Sequence, residues 1–69
     1  MIFFRECGGR FSARDTAGII EEFGGSVMNI QFVIAPYFHY EVWARAADDK
    51  MFKDINDEIT KRKQSGTLY

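Results

Sequence analysis

The chain has 69 residues, which is enough for one small domain, and its 46% hydrophobic and 28% charged residues are typical of a folded globule. Nine Lys and Arg residues against ten Asp and Glu residues give a formal net charge of −1, so nothing electrostatic points to a nucleic-acid or anionic-membrane partner. A single cysteine excludes an internal disulfide, and together with a single histidine it cannot complete a zinc site.

The apolar runs of the chain are short. None is longer than the four residues of Phe32–Ala35, which is far below the length of a membrane span. Arg5 and Glu6 come too early to leave room for the apolar core of a signal peptide. We therefore expect one soluble domain over residues 1–69, located in the cytoplasm.

The first part of the chain predicts a strand followed by a helix. Met1–Cys7 opens with bulky apolar residues that favour a short strand, and Gly8 and Gly9 then end it. Apolar residues at helical spacing predict a helix over Ala13–Phe23, with Ser12 as its capping residue. The two glycines that follow supply the left-handed stop that often ends a helix.

The middle of the chain predicts an antiparallel hairpin. Ser26–Ile34 and Tyr37–Ala46 both alternate with a period of two, and Ala35-Pro36 separates them because proline cannot donate to a ladder. We expect one face of the hairpin to form the core, with Phe32 buried under both helices. The residues assigned to this core face are Met28, Ile30, Phe32, Phe38, Tyr40 and Val42.

The last part of the chain predicts a second helix. It begins at Asp48 and Asp49 and ends with the basic residues 61–63, an arrangement that complements the helix dipole. Thr67–Tyr69 can add at most a stub of strand. The fold class is therefore α+β, with the ferredoxin-like order β-α-β-β-α, a final strand that is short or missing, and both helices on one face of an antiparallel sheet.

A helix sequence, AGIIEEFGG, runs into a strand sequence, SVMNIQFVI, with Asn29 and Ile30 just after the turn. This arrangement, within Ala17 to Ile59, resembles an ACT-type regulatory domain. In that family a comparable asparagine-isoleucine pair follows a similar turn, and amino acids bind near it at a dimer interface. The resemblance implies a stand-alone dimeric regulator that binds a small metabolite.

No group of residues forms a recognisable catalytic or metal-binding motif. A nucleophilic Cys7 would need a base, and His39 is the only imidazole in the chain, so we interpret Cys7 as a small packing residue. The acids at 48 and 49 fit helix capping better than a divalent-metal site. The glycine pairs lack the neighbours of a phosphate loop. We expect no cofactor, no metal and no enzymatic activity.

The second face of the hairpin is too apolar for plain solvent exposure and too polar for an ordinary core. It carries Trp, Tyr and Arg, which are enriched where proteins bind each other. Its candidate partner- or ligand-binding residues are Asn29, Gln31, Tyr37, His39, Glu41, Trp43 and Arg45.

These observations lead to two functional hypotheses. The first is a non-catalytic binding module that acts through protein–protein interaction, such as a small inhibitor or adaptor of the kind that phages encode. The alternative is the ACT-like dimeric regulator with a small-molecule ligand. In both cases we expect a homodimer, joined through a sheet face or a sheet edge, because a chain this small has little core to spare.

Overall fold

The computed structural model describes residues 1–66, so the predicted stub at 67–69 lies outside the described residues. The elements follow the predicted order β-α-β-β-α. They are β1 (Ile2–Cys7), α1 (Arg10–Glu22), β2 (Ser26–Val33), β3 (His39–Arg45) and α2 (Asp49–Gln64). Neither helix within this part of the chain is long and apolar enough to cross a membrane.

The three strands form one sheet in the order β1-β3-β2, and both neighbouring pairs are antiparallel. The predicted hairpin of β2 and β3 is therefore confirmed, and β3 is the central strand of the sheet. Both helices pack on one face, where Val42 and Ala44 of β3 are buried. This arrangement is compatible with a ferredoxin-like fold, as the sequence predicted.

The core consists mainly of small and medium side chains. Of the seven phenylalanines in the chain, only Phe3 is buried, and its ring meets Phe52 of α2 edge-on at a centroid distance of 4.9 Å. The other buried apolar residues are Cys7, Ala13, Ala17, Ile19, Ile20, Val42, Ala44, Ala46, Ile55 and Ile59. Much of the aromatic content of the chain therefore lies outside the core.

Most of the hairpin face predicted as core is exposed, so that prediction was wrong. Val42 is buried and Tyr40 is half-buried, but Phe32 is 56% exposed rather than covered by both helices. The reason is the strand order. The helices cover β1, β3 and only the start of β2, and they leave the rest of this edge strand bare. Ile30 is exposed for the same reason, whereas Phe38 lies in the loop before β3 and Met28 lies on the opposite face of the sheet, beside Trp43.

A β-bulge explains a second difference from the predicted alternation. Val27 lies opposite Ala44 and Asn29 lies opposite Trp43, so two steps on β2 match one step on β3. A bulge of this kind turns the preceding residues over relative to the following ones. Val27 consequently packs against the core instead of sharing a face with Asn29.

The ends of the helices are set by local hydrogen bonds. Helix α1 begins at Arg10, earlier than predicted, because Ser12 lies in its first turn and donates its Oγ–H to the Gly9 carbonyl at 2.9 Å. Ser12 is therefore not the capping residue. Gly24, with φ of 90°, ends α1 as predicted. Asp48 caps α2 as predicted, since its Oδ1 accepts the Met51 N–H at 2.8 Å.

The boundary of the core can be tested with two matched substitutions. Ile20→Ala should lower the free energy of unfolding by about 2–5 kcal/mol, because Ile20 is fully buried between α1 and the sheet. Ile34→Ala should change it by less than about 1 kcal/mol, because Ile34 is 66% exposed. Urea unfolding followed by circular dichroism measures both values, and equal losses would contradict this placement of the core.

Candidate functional site on the open face of the sheet

The face of the sheet that points away from the helices, called the open face below, brings most of the predicted binding residues together. Trp43 lies opposite Asn29, and Glu41 lies opposite Gln31, so these four residues form a compact block. His39 continues β3 at one end of the block and Arg45 continues it at the other. Tyr37 reaches the same face from the loop between β2 and β3.

Strand β1 adds three residues to the open face that the sequence analysis did not include. Phe4 lies opposite Trp43, Ile2 lies opposite Arg45, and Glu6 lies opposite Glu41. Their alternation along β1 could have placed them on one face. It could not have shown that this face is the one shared with Trp43, because that depends on the pairing of β1 with β3.

His39 is the centre of a polar network that also contains Glu6, Tyr37, Glu41 and Trp43. Its Nδ1 lies 3.0 Å from the Tyr37 carbonyl oxygen, and its Nε2 lies 3.1 Å from Glu41 Oε2 and 3.5 Å from Glu6 Oε1. The Trp43 indole N–H donates to the other oxygen of Glu41 at 3.1 Å, and the Tyr37 hydroxyl donates to Glu6. Each member is thus held by at least one neighbour.

The network also shifts the pKa of three of its members, His39, Glu41 and Tyr37. The hydrogen bond to Glu41 raises the pKa of His39, with further help from the Tyr37 carbonyl and the charge of Glu6, although burial opposes this. The hydrogen bonds from His39 and Trp43 lower the pKa of Glu41. The bond to Glu6 raises the pKa of Tyr37, because it favours the protonated phenol. The arrangement therefore favours an imidazolium between two carboxylates.

Beside the polar network the open face is apolar. The Phe4 and Trp43 rings stack at a centroid distance of 5.0 Å and an angle of 20°, and Ile2 and Met28 are exposed. A shallow cavity of about 300 Å³ lies between Met28, Asn29, Gln31 and Trp43. Within residues 1–66 the amide side chains of Asn29 and Gln31 have no hydrogen-bond partner, so their donors and acceptors are available to a bound molecule.

Two of the residues considered in the sequence analysis take no part in the polar network. The side chain of Arg45 makes no hydrogen bond within the described part of the chain. Cys7 is buried on the helix side, where its Sγ lies 3.6 Å from Thr16 Oγ1, whereas His39 points to the open face. Cys7 and His39 therefore do not form a pair. Residues 1–66 contain no group of three or more side chains suited to hold a metal ion.

Comparison of the chain with protein-family models, with curated proteins and with solved structures finds no match in any of the three. The ACT resemblance rests on the segment around Asn29 and Ile30, and the structure places Asn29 at the cavity beside Trp43.

The stability of the protein should depend on pH through His39. Its folded-state pKa is raised above the ordinary value of about 6.5, so its contribution to stability is complete below pH 6.5 and is lost as the pH rises through the raised pKa. Glu41 has a lowered pKa, so its contribution is present above about pH 4.5 and is lost as the pH falls through the folded-state value. Both contributions are complete between about pH 4.5 and pH 6.5.

Urea unfolding between pH 6 and pH 8 measures this effect, with His39→Gln as the control. The free energy of unfolding of the wild type should fall more steeply with pH than that of the variant. Because the chain has one histidine, its ring signal in an NMR titration is unambiguous. A midpoint at or below about 6.5 would show that the two carboxylates do not stabilise the imidazolium.

Proposed function

We propose that the protein is a non-catalytic binding module of the cytoplasm, a small inhibitor or adaptor, and that its open face contacts a larger protein. The observation that carries this proposal is the exposed apolar row of Ile2, Phe4 and Met28 around Trp43, on a sheet face that neither α1 nor α2 covers. Contiguous exposed apolar surface of this kind is typical of interaction sites.

The fixed geometry of Trp43 supports a role as the central contact. Its indole N–H is bonded to Glu41, and its ring is stacked on Phe4. A side chain that is already held in place loses little conformational freedom when it binds. Tryptophan is also the residue type in which binding energy is most often concentrated.

The chemistry around Trp43 suits a peptide segment of the partner. The cavity between Met28 and Trp43 can receive one apolar side chain. The free amide groups of Asn29 and Gln31 at its rim can donate to and accept from the neighbouring peptide groups. The partner that fits is therefore a protein segment with an apolar side chain between accessible backbone amides.

The polar network favours binding over catalysis. A general base must present a free nitrogen within hydrogen-bond reach of its substrate. Both ring nitrogens of His39 are engaged with neighbours, and the ring is only 5% exposed. Cys7 is buried on the opposite face, so it has neither this histidine nor access to solvent as a nucleophile requires.

A specific observation also favours the alternative, an ACT-like regulator that binds a small metabolite. The cavity of about 300 Å³ is at the lower end of the range for small-ligand sites, and Asn29 lines it. Calorimetric titration with amino acids and nucleotides tests this alternative. A saturable binding heat that Asn29→Ala abolishes would support the regulator. No binding heat with any of these ligands, together with capture of a protein partner, would support the binding module.

The binding module is tested by comparing capture from a lysate by the wild type, by Trp43→Ala and by Phe11→Ala. Phe11 is 74% exposed on α1, away from the open face, so it is the matched aromatic control. We expect Trp43→Ala to weaken binding of a captured and then purified protein by at least about 2 kcal/mol, or about thirtyfold in Kd. Phe11→Ala should bind normally. A partner that tolerates Trp43→Ala would place the binding site elsewhere.

A further inference from the structure

Strand β2 is an edge strand without the features that usually prevent edges from pairing. Edge strands are usually protected from pairing by charged residues, a proline, a bulge or a covering helix or loop. The chain has no charged residue between Ser26 and Phe38, its proline lies beyond the end of β2, and the bulge lies near the start of the strand. Within residues 1–66, no strand pairs with the outer backbone edge of the regular part, Asn29–Val33.

The helix side of β2 carries apolar side chains that nothing in the described chain covers. Ile30 is 43% exposed and Phe32 is 56% exposed. Phe32 stacks with Phe38 at 5.8 Å and meets Tyr40 at 5.0 Å, so the three rings form one row that runs from the edge towards the core. Scattered exposed apolar residues are normal, but a connected row beside an open edge is not.

We propose that two copies of this chain associate through β2, so that their sheets join into one antiparallel sheet with all helices on the same side. A two-fold axis perpendicular to the sheet gives this arrangement. The middle of the regular part of β2 is Gln31. An axis at Gln31 places Ile30 of each copy opposite Phe32 of the other, on the helix side, where the exposed side chains of both copies cover each other.

The chemistry of this edge fits a second copy of the chain. Self-pairing of a strand places like residues near each other, which is unfavourable when they carry charge. β2 has no charge to repel its own copy, whereas the other edge strand, β1, carries Arg5 and Glu6. The core also leaves most phenylalanines outside, and association is a standard way for a small domain to bury such surface.

The dimer leaves the open face free, so this inference is independent of the proposed function. Side-by-side sheets keep their open faces on one side, and Trp43 of each copy stays accessible. Trp43→Ala should therefore weaken partner capture without changing the mass in solution, and a failed partner search leaves the dimer untouched.

Sedimentation equilibrium of the full chain at tens of micromolar tests the dimer. The wild type should sediment at twice its mass of 8.0 kDa. Ile30→Lys should sediment as a monomer, with a dissociation constant raised at least about thirtyfold. Ile2→Lys is the matched control, since Ile2 is 53% exposed on the other edge strand, and it should remain dimeric. A monomeric wild type, or a dimer lost through Ile2→Lys and kept in Ile30→Lys, overturns the proposal.

Cross-linking provides a second test that does not depend on the folding of Ile30→Lys. Gln31→Cys places an exposed thiol next to the proposed axis, while the native Cys7 is buried. Mild oxidation should yield a disulfide-linked dimer of Gln31→Cys in high yield and none of Ile2→Cys. Equal cross-linking of the two variants would contradict pairing through β2.

Discussion

The two helices cover β1, β3 and only the start of β2, and the line where their cover ends determines the surface of this protein. Under the helices lie Val42 and Ala44 of the central strand, which are fully buried. Beyond them, β2 keeps only its first residues in contact with the core. Because apolar side chains continue past that line, the molecule has a core of small and medium side chains and leaves most of its phenylalanines outside that core.

The sequence predicted the elements well because periodicity and turn residues are local signals. Asp48 capped the second helix as expected, and Gly24 ended the first. The prediction that Ser12 caps α1 was wrong. A serine in the first turn of a helix can donate its hydroxyl to a preceding carbonyl, whereas a capping serine accepts from a backbone N–H further along the helix. The same residue type therefore suits the capping position and the first turn, and the sequence alone does not distinguish them.

The sequence could not predict which hairpin residues are buried, because burial depends on long-range packing. Alternation correctly put Phe32 and Val42 on one face, yet Val42 is central and Phe32 lies at the edge. The bulge before Asn29 has no distinct residue signature. Alternation put all seven candidate residues on one face, but the hydrogen bond between Tyr37 and Glu6, which are 31 residues apart, depends on the pairing of β1 with β3.

The bulge in β2 adds one residue to the strand and determines which of its side chains lie on each face of the sheet. Met28 is the extra residue, because Val27 and Asn29 lie opposite consecutive positions of β3. A chain lacking Met28 would have an uninterrupted ladder, and every other side chain of β2 would keep its face. It would also lose one wall of the cavity beside Trp43. One inserted residue therefore leaves the sheet in register while it shapes the surface, so a change in chain length here alters the open face without redesign of the core.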